Sequence, residues 1–501
     1  MALCSFAVGN TLGVALGLAI AYCLAHAFYN LFLHPLARFP GPRWMCVSRA
    51  PFCYKLLTGT LPFDVLELHK RYGPAVRIAP DELAFLDSRA WRDVMGHKGQ
   101  GAGAEMDKSA KFYRAVPNAP TDIVNSGREE HAGLRRSLAH GFSERSMRDQ
   151  EPIIKGYVDL LVERLREHGQ AAGGGGRALD LAAWYNYTTF DVIGDLAFGE
   201  SFGCLDGSDY HPWVRSIFQM ARLGTVLQTG THYPFVLKLL MAMVPEKVKR
   251  ERARHGEFTE ARLKRRMELG QERPDLIEGL LKKKDDWNMS FAKLKANSSI
   301  LIIGGSETTA TLLSGATYYL LMNPAALEKL TDEIRSTFKD ESEIDFQSVS
   351  NLPYLLACIQ EALRIYPPVP IGLPRIVPPG GATIAGHHVP EGTTVSVYHW
   401  AMYHSEKNFR DPFGFHPERW LQDPAFAGDD REAFQPFHIG PRNCIGRNLA
   451  YVEMRLILAR VLWNFDIKIA DNSTDWASRQ KIYLLWEKGP LNAYLTPVQR
   501  S

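Results

Sequence analysis

The run Phe437-His438-Ile439-Gly440-Pro441-Arg442-Asn443-Cys444-Ile445-Gly446 stands just ahead of a helical pattern that continues to Trp463. A lone cysteine is ordinarily an inert, small hydrophobe. Cys444 differs by its place. At a helix N-terminus, free N–H groups and the positive end of the helix dipole favour a thiolate. Gly440 permits a tight turn ahead of it, and Gly446 lets the backbone approach something large and flat. Arg442, two residues upstream, can answer an anionic group. A thiolate and an arginine so spaced suit axial ligation of haem iron by Cys444, with Arg442 on a haem propionate.

The composition around this run is that of a large folded body. Of 501 residues, 46% are apolar and 23% charged, which excludes disorder, collagen and a multi-span membrane protein. Length alone gives a prior of roughly three domains, although large enzymes often bury one continuous core. Lys+Arg number 58 and Asp+Glu 55, a net charge of +3, too small to point to nucleic acid as a partner. The seven cysteines (Cys4, Cys23, Cys46, Cys53, Cys204, Cys358, Cys444) are odd in number and lack C-x-x-C spacing. Neither a disulfide framework nor a structural zinc site is expected, and a reducing compartment fits.

No Asp, Glu, Lys or Arg occurs from Met1 to Ala37. Thr11 to Phe28 is almost wholly apolar, and with its flanks it reaches the ~20 residues a helix needs to cross a bilayer. A cleaved signal peptide wants a positive n-region and a short apolar core; neither is present. Positive charges follow instead, at Arg38, Arg43, Arg49 and Lys55, and place the body after them on the cytoplasmic side. A single-pass membrane anchor over 1–33 is expected, then a stiff proline-rich hinge over 34–42, then one body over 43–501. Four N-x-S/T sequons, at Asn186, Asn288, Asn297 and Asn472, would then lie in the cytosol and stay bare.

No repeat is visible in that body. Short strands are expected around the Pro80-Asp81 turn between 75 and 87, and again from Arg375 to Val397. Long helical patterns cover Glu151–Glu167, Tyr185–Phe198, Ser290–Met322, Pro324–Phe338, Leu352–Tyr366 and Gly446–Trp463. Ala171 to Gly176 reads as a flexible surface loop. The charged stretch 246–284 reads as a solvated helix face and loop. Tyr233 to Val244 is apolar with one charge, Lys238, and suits either the bilayer or the core.

Two further clusters carry chemistry. Gly304-Gly305-Ser306-Glu307-Thr308-Thr309 lies inside the pattern 290–322. Two glycines within a helix cost ~1 kcal/mol each against alanine, which suggests close approach of a ligand or room to bend. Glu307 and Thr308 in an apolar helix can form a proton relay; alone, a Ser/Thr-rich kink at a helix crossing accounts for them equally well. Glu361 and Arg364, at i,i+3, can pair on one helix face, and such pairs are usually solvated and worth ~0.2–0.5 kcal/mol.

The decapeptide at 437–446 resembles the haem-binding signature F-x-x-G-x-R-x-C-x-G of the cytochrome P450 family at every fixed position, and the other marks follow in the family's order along the whole chain. The segment Tyr29-Asn30-Leu31-Phe32-Leu33-His34-Pro35-Leu36 is similar to fungal members that tailor secondary metabolites, such as trichothecene-pathway hydroxylases. The resemblance implies a mainly α fold with a small β region and one N-terminal transmembrane helix, 43–501 being a haem-thiolate catalytic domain. It implies haem b, with Cys444 as the axial iron ligand and Phe437, Gly446, Arg442, Arg375, Arg135 and His131 about the haem. His131 stands where the family's W-x-x-x-R has tryptophan, so its place on a propionate rests on an imidazole N–H. The family form A/G-G-x-D/E-T-T/S makes Glu307 and Thr308 the proton-delivering pair. Glu361 and Arg364 would be buried and meet Arg419, so that removing one partner strands a charge at a cost of ~3–5 kcal/mol.

The function so implied is monooxygenation of a lipophilic small molecule, a terpenoid or polyketide. Electrons would come from NADPH through a membrane-bound reductase, with cytochrome b5 as a second donor, at the endoplasmic reticulum membrane with the catalytic domain in the cytosol. Ile371, Gly372, Leu373 and parts of 100–120 would meet the substrate. The rival readings are an O2-independent haem-thiolate isomerase or dehydratase, which has less need of Glu307 and Thr308, and a membrane-anchored haem electron-transfer protein, which would want a second iron ligand.

Overall fold

Helix ends in this protein fall where capping side chains and prolines put them. The computed structural model describes residues 2–98, 105–114, 119–169, 176–270, 273, 275–282 and 289–500. Its central element is the 32-residue helix Phe291–Met322, begun by Ser290, whose hydroxyl accepts the Lys293 N–H at 3.3 Å. Pro324 and Pro353 open the helices Pro324–Thr337 and Pro353–Ile365, where a missing N–H costs nothing. Asp180 caps Leu181–Phe198 by accepting from the Ala182 and Ala183 N–H groups, and Gly199, at φ 76°, ends it. The pattern at 151–167 extends further than expected, as Glu144–Gly169. Pro152 reads as a helix start, but the helix passes through it.

Leu181–Phe198 is buried on nearly every side, as an all-round apolar helix must be. It crosses the central helix closely: a Cβ on Gly305 would lie 2.6 Å from Ile193 Cδ1. Along the central helix the hydroxyls of Ser298, Ser306, Thr308 and Ser314 each donate to the carbonyl four residues back. That pattern satisfies them without a ligand and leaves the helix unbroken.

The β region is small. A five-stranded sheet has the order Ala75–Ala79, Glu82–Phe85, Thr394–Val397, Arg375–Ile376, Asp107–Lys108. Its first pair turns at Pro80-Asp81, and only the Glu82–Phe85 and Thr394–Val397 pair is parallel. Phe465–Ile469, Asn492–Pro497 and Leu179–Asp180 form a three-stranded sheet, and two hairpins complete the set. One apolar core lies among the helices, and smaller ones lie on either face of the five-stranded sheet.

Glu361 and Arg364 are fully buried and bidentate (3.0 and 2.7 Å), and Arg419 Nε joins them at 3.3 Å. Trp420 Nε1 and the His416 N–H also donate to Glu361. Burial raises the Glu361 carboxyl's pKa, but the Arg364 and Arg419 guanidiniums outweigh it and hold the group below its usual range. The network ties the helix Pro353–Ile365 to the segment leading into the cysteine loop.

One expectation needs revision, an open alternative narrows, and the sequons gain a structural setting. The stretch 246–284 is not simply a solvated face: its helix Glu246–Glu268 buries Arg262 and Arg266, and Arg266 pairs with Asp275, both fully buried. Tyr233 to Val244 is not core, since Phe235 and Met243 are 81% and 69% exposed. Two sequon asparagines are buried in hydrogen bonds, Asn186 to the Ala182 carbonyl and Asn297 to the Lys293 carbonyl. Asn472 is exposed, and Asn288 lies outside the described residues. So does the expected loop 171–176, apart from Gly176. At the N-terminus the helix Ala2–Phe28 continues as a wider turn, Tyr29–Leu33, and 13–33 is long and apolar enough to cross a membrane.

Candidate active site

The loop before Cys444 is built by tight backbone turns. The Cys444 N–H donates to the Phe437 carbonyl at 2.9 Å. His438 and Gly440 take φ values of 56° and 78°. At Gly440 a Cβ would fall 1.9 Å from the Met95 carbonyl oxygen, so only glycine fits there. The buried His438 ring packs edge-on against Trp91 and His399, at 5.1 and 4.7 Å. From the other side Arg135 Nη1 donates to the Asn443 carbonyl at 2.6 Å. The next helix is Arg447–Asn464, with Gly446 at its cap. A Cβ on Gly446 would make only ordinary contacts, with Phe142 and with Cys444 Sγ, so packing of the protein does not itself demand glycine here.

Burial pushes the Cys444 thiol up; the Gly446 N–H and the Arg135 and Arg447 guanidiniums pull it back only in part. Desolvation wins until a cation faces the sulfur.

Cys444 opens onto a cavity of about 910 Å3, part of it continuous with solvent. Phe437, Ile445, Gly446, Leu449 and Ala450 line its cysteine side, and Gly304, Gly305, Thr308 and Thr309 its central-helix side. The two glycines serve different ends: Gly305 makes room for Ile193, whereas a Cβ on Gly304 would meet nothing within 4 Å. Thr308 Oγ1 donates to the Gly304 carbonyl at 2.7 Å. Ile123, Val124, Ile193, Ile300 and Leu301 give the remaining wall an apolar surface.

Cations converge at one edge. Arg442, His131 and Arg135 line the cavity, and so does Lys108, which the sequence reading missed. Lys108 stands directly across the antiparallel ladder from Arg375, a like-charge pair that is unfavourable unless an anion joins it. Arg375 is buried, its Nη1 has no partner among the described residues, and its Nε meets Met95 Sδ at 3.2 Å. Arg442 is held by Glu105 at 2.6 Å and by the Ser126 carbonyl. Burial, then Arg375 and Arg442, lower the Lys108 ammonium to about 7. Burial, then Arg442, Lys108, Arg135 and Arg375, lower the His131 imidazole to about 3. His131 is therefore a neutral N–H donor. A soft sulfur ligand on one side, small residues opposite and a cationic edge in which Arg375 has no anionic partner among the described residues fit haem b with its two propionates.

Glu307 stands apart from this cavity. Its carboxylate lines a second cavity of about 1460 Å3, with Asp180, Asn186, Tyr210, Arg222 and the segment 483–490. There Glu307 Oε1 accepts from Lys488 Nζ and, at 3.3 Å, from Thr311; Oε2 has no partner among the described residues. Lys488 also donates to Thr311 at 2.6 Å. The structure thus places Thr308 with Cys444, and Glu307 on the neighbouring cavity with a lysine that no motif announces. Ile371, Gly372 and Leu373 line neither cavity, and 100–104 and 115–118, within the expected substrate segment, lie outside the described residues.

The cytochrome P450 family model matches residues 40–493. The chain is 48% identical over 490 residues to a cytochrome P450 monooxygenase, tpeC, of Talaromyces stipitatus, covering 97% of this chain and 95% of the relative. It is 44% identical over 486 residues to the trichothecene C-15 hydroxylase of Fusarium sporotrichioides (96% and 97%), and 43% identical over 503 residues to the averantin hydroxylase of Dothistroma septosporum (99% and 93%). The chain belongs to the cytochrome P450 family. It is a haem-thiolate monooxygenase that takes NADPH-derived electrons from a reductase and acts on a small molecule.

Proposed function

We propose that the substrate is a lipophilic terpenoid or polyketide and the reaction a hydroxylation in fungal secondary metabolism. The observation that carries this is the apolar wall of Ile123, Val124, Ile193, Ile300 and Leu301 facing Cys444. Relatives named for trichothecene and averantin hydroxylation support it. Supplying the chain and reductase with such a substrate under isotope-labelled dioxygen tests it. One labelled oxygen atom in the product is expected. Product formed without dioxygen would turn the reading to an isomerase or dehydratase, and NADPH-driven electron transfer without product to a carrier.

In this reading Cys444 would ligate the iron, Phe437 and Gly446 would face the macrocycle, and Arg442, Arg375, Arg135 and His131 would hold the propionates. Lys108 joins them. When bound, haem supplies the electron and dioxygen chemistry, and thiolate donation favours O–O cleavage. The chain's own part is to orient, to keep the cavity dry and to move protons. Glu307 receives protons from the second cavity through Oε2, which has no partner among the described residues, and Thr308, one residue on, presents its hydroxyl at the Cys444 cavity. A turn of the Glu307 side chain away from Lys488 joins the two.

Residues 1–33 anchor the protein in the endoplasmic reticulum membrane, 34–42 form the hinge, and 43–501 lie in the cytosol. Exposed Trp44, Tyr54, Phe235 and Leu239 lie on helices that pack in series from the anchor by way of the helix Pro212–Thr231, Met243 lies in the turn just after the last of them, and these apolar side chains suit the bilayer surface. Arg128, Arg136 and Lys98, beside Pro441 of the cysteine loop, suit acidic electron donors, the reductase and cytochrome b5.

A further inference from the structure

Asn297, marked in the sequence only as a sequon, sits one helical turn before Ile300 and Leu301 of the Cys444 cavity. It is 0% exposed, and both ends of its amide are used. Nδ2 donates to the Lys293 carbonyl at 2.9 Å, and Oδ1 accepts the N–H of Ile123 at 3.0 Å. A carbonyl on one side and an N–H on the other leave no doubt which end is the oxygen. Ile123 lies 174 positions away in sequence and lines the same cavity. We propose that Asn297 is a positioning residue for specificity: it sets how far Ile123 stands from Ile300 and Leu301, and thereby the width of ligand that the cavity accepts.

Residues 119–127 form neither helix nor strand. Their shape comes from Asp122, whose carboxylate accepts the Val124 and Asn125 N–H groups at 2.7 and 3.0 Å, so the segment is a small rigid unit. At its outer side it is held to the cation edge: the Ser126 carbonyl accepts from Arg442 at 3.0 Å, and the Val124 carbonyl from Lys108. Among the described residues, the Asn297–Ile123 bond is the one hydrogen bond from this segment to the central helix. Apolar contacts have no direction and let such a segment slide; a hydrogen bond has one and fixes the register. The neighbouring Lys293–Glu130 pair, 44% and 30% exposed, adds little. Without the Asn297 acceptor, the Ile123 N–H becomes a buried donor left unpaired, which is costly. The segment relieves that cost by moving toward water, and Ile123 moves with it. The wall then opens.

This inference rests on the proposed reading of the Ile123 wall as the ligand-facing one, and the test separates the two. The probes are two azoles that bind haem iron through an imidazole nitrogen, the narrow 4-phenylimidazole and the broad clotrimazole. Each is titrated into the full haem-loaded chain and followed by its Soret shift. Asn297→Leu is expected to lower the ratio of the clotrimazole to the 4-phenylimidazole dissociation constant about fivefold, the worth of one hydrogen bond, with the CO spectrum unchanged. Asn297→Asp keeps the acceptor, and its ratio stays within about twofold of native. Ile123→Ala widens the same wall directly and lowers the ratio at least as far. Deuterium exchange of the peptide 119–127 is expected to quicken about fivefold in Asn297→Leu and to stay native in Ile123→Ala. A native ratio in Asn297→Leu beside a lowered one in Ile123→Ala would overturn the role of Asn297 alone. Native ratios in both would overturn the wall and this inference with it. Native exchange of 119–127 in Asn297→Leu, or an Asn297→Asp ratio that falls as far as that of Asn297→Leu, would also overturn the proposal. Should Asn297→Leu fail to load haem, the smaller Asn297→Val is read in its place, with the same outcomes.

Discussion

Lys488 and Glu307, 181 positions apart, form a buried ion pair that joins the C-terminal segment to the middle of the central helix. The pair shares Thr311, and one Glu307 oxygen on the second cavity has no partner among the described residues. Such an arrangement stores a charged acid one residue from Thr308 without letting it into the Cys444 cavity.

Removing the lysine alone strands that acid. Lys488→Met is expected to destabilise the haem-loaded chain by ~3–5 kcal/mol, since an unpaired buried charge is left behind. Adding Glu307→Gln to Lys488→Met removes the charge and is expected to restore most of the loss. Urea unfolding of the native chain, both single variants and the double variant completes the cycle. Equal stability of Lys488→Met and the native chain would mean that the pair holds nothing together.

The helices were legible because their signals are local: Ser290, Asp180, Pro324 and Pro353 announce their own helix ends. The cysteine loop was legible for the same reason, since Gly440, Arg442 and Cys444 are close neighbours in sequence. Lys108 and Lys488 were not. Lys108 matters only because the sheet sets it opposite Arg375, and Lys488 only because the segment 483–490 folds back against the central helix.

Cys444→Ser tests the ligand assignment. The native reduced protein with CO is expected to show the strongly red-shifted Soret band of the family, and the variant to lose both the band and turnover. An unchanged CO spectrum in the variant would remove Cys444 from the iron.

Lys108 gives a prediction with opposite signs in two states. Without haem, Lys108 and Arg375 repel across the ladder, so Lys108→Met is expected to make the apoprotein more stable, by a few tenths of a kcal/mol up to ~1 kcal/mol. With haem, the same change removes a charge-assisted hydrogen bond to a propionate, worth ~1.5–3 kcal/mol. Haem transfer to a scavenging globin is then expected to quicken about tenfold or more. A variant that holds haem as firmly as the native chain would show that Lys108 does not reach a propionate.

Thr308→Ala leaves Cys444 and the cation edge intact, so spectrum and substrate binding are expected to change little. Without the hydroxyl the cavity loses a positioned proton donor, and reducing equivalents are expected to leave as hydrogen peroxide. NADPH consumption continues while product per NADPH falls, by about tenfold or more for a positioned proton donor. Native coupling in this variant would reduce Thr308 to a packing residue.

Buried histidines set the acid limit of stability. Burial, then the nearby Arg364 guanidinium, holds the His404 imidazole down to about 3. Its ring stacks on Trp400 at 3.7 Å, and Nδ1–H donates to the Trp400 carbonyl at 2.9 Å. A depressed folded pKa means that the unfolded chain takes up a proton below about 6.5 while the folded chain does not. The stability linked to His404 is therefore fully present above 6.5 and drains away as pH falls toward 3. His404→Phe keeps the stack and loses one hydrogen bond, at ~1 kcal/mol near neutral pH. Between pH 6 and 4.5 its stability is expected to fall less steeply than native, by up to ~1.4 kcal/mol per pH unit. Unfolding free energies of both proteins at matched pH values give the two slopes. Parallel slopes would show that His404 takes up its proton in the folded chain, and the acid sensitivity would then have to come from other groups.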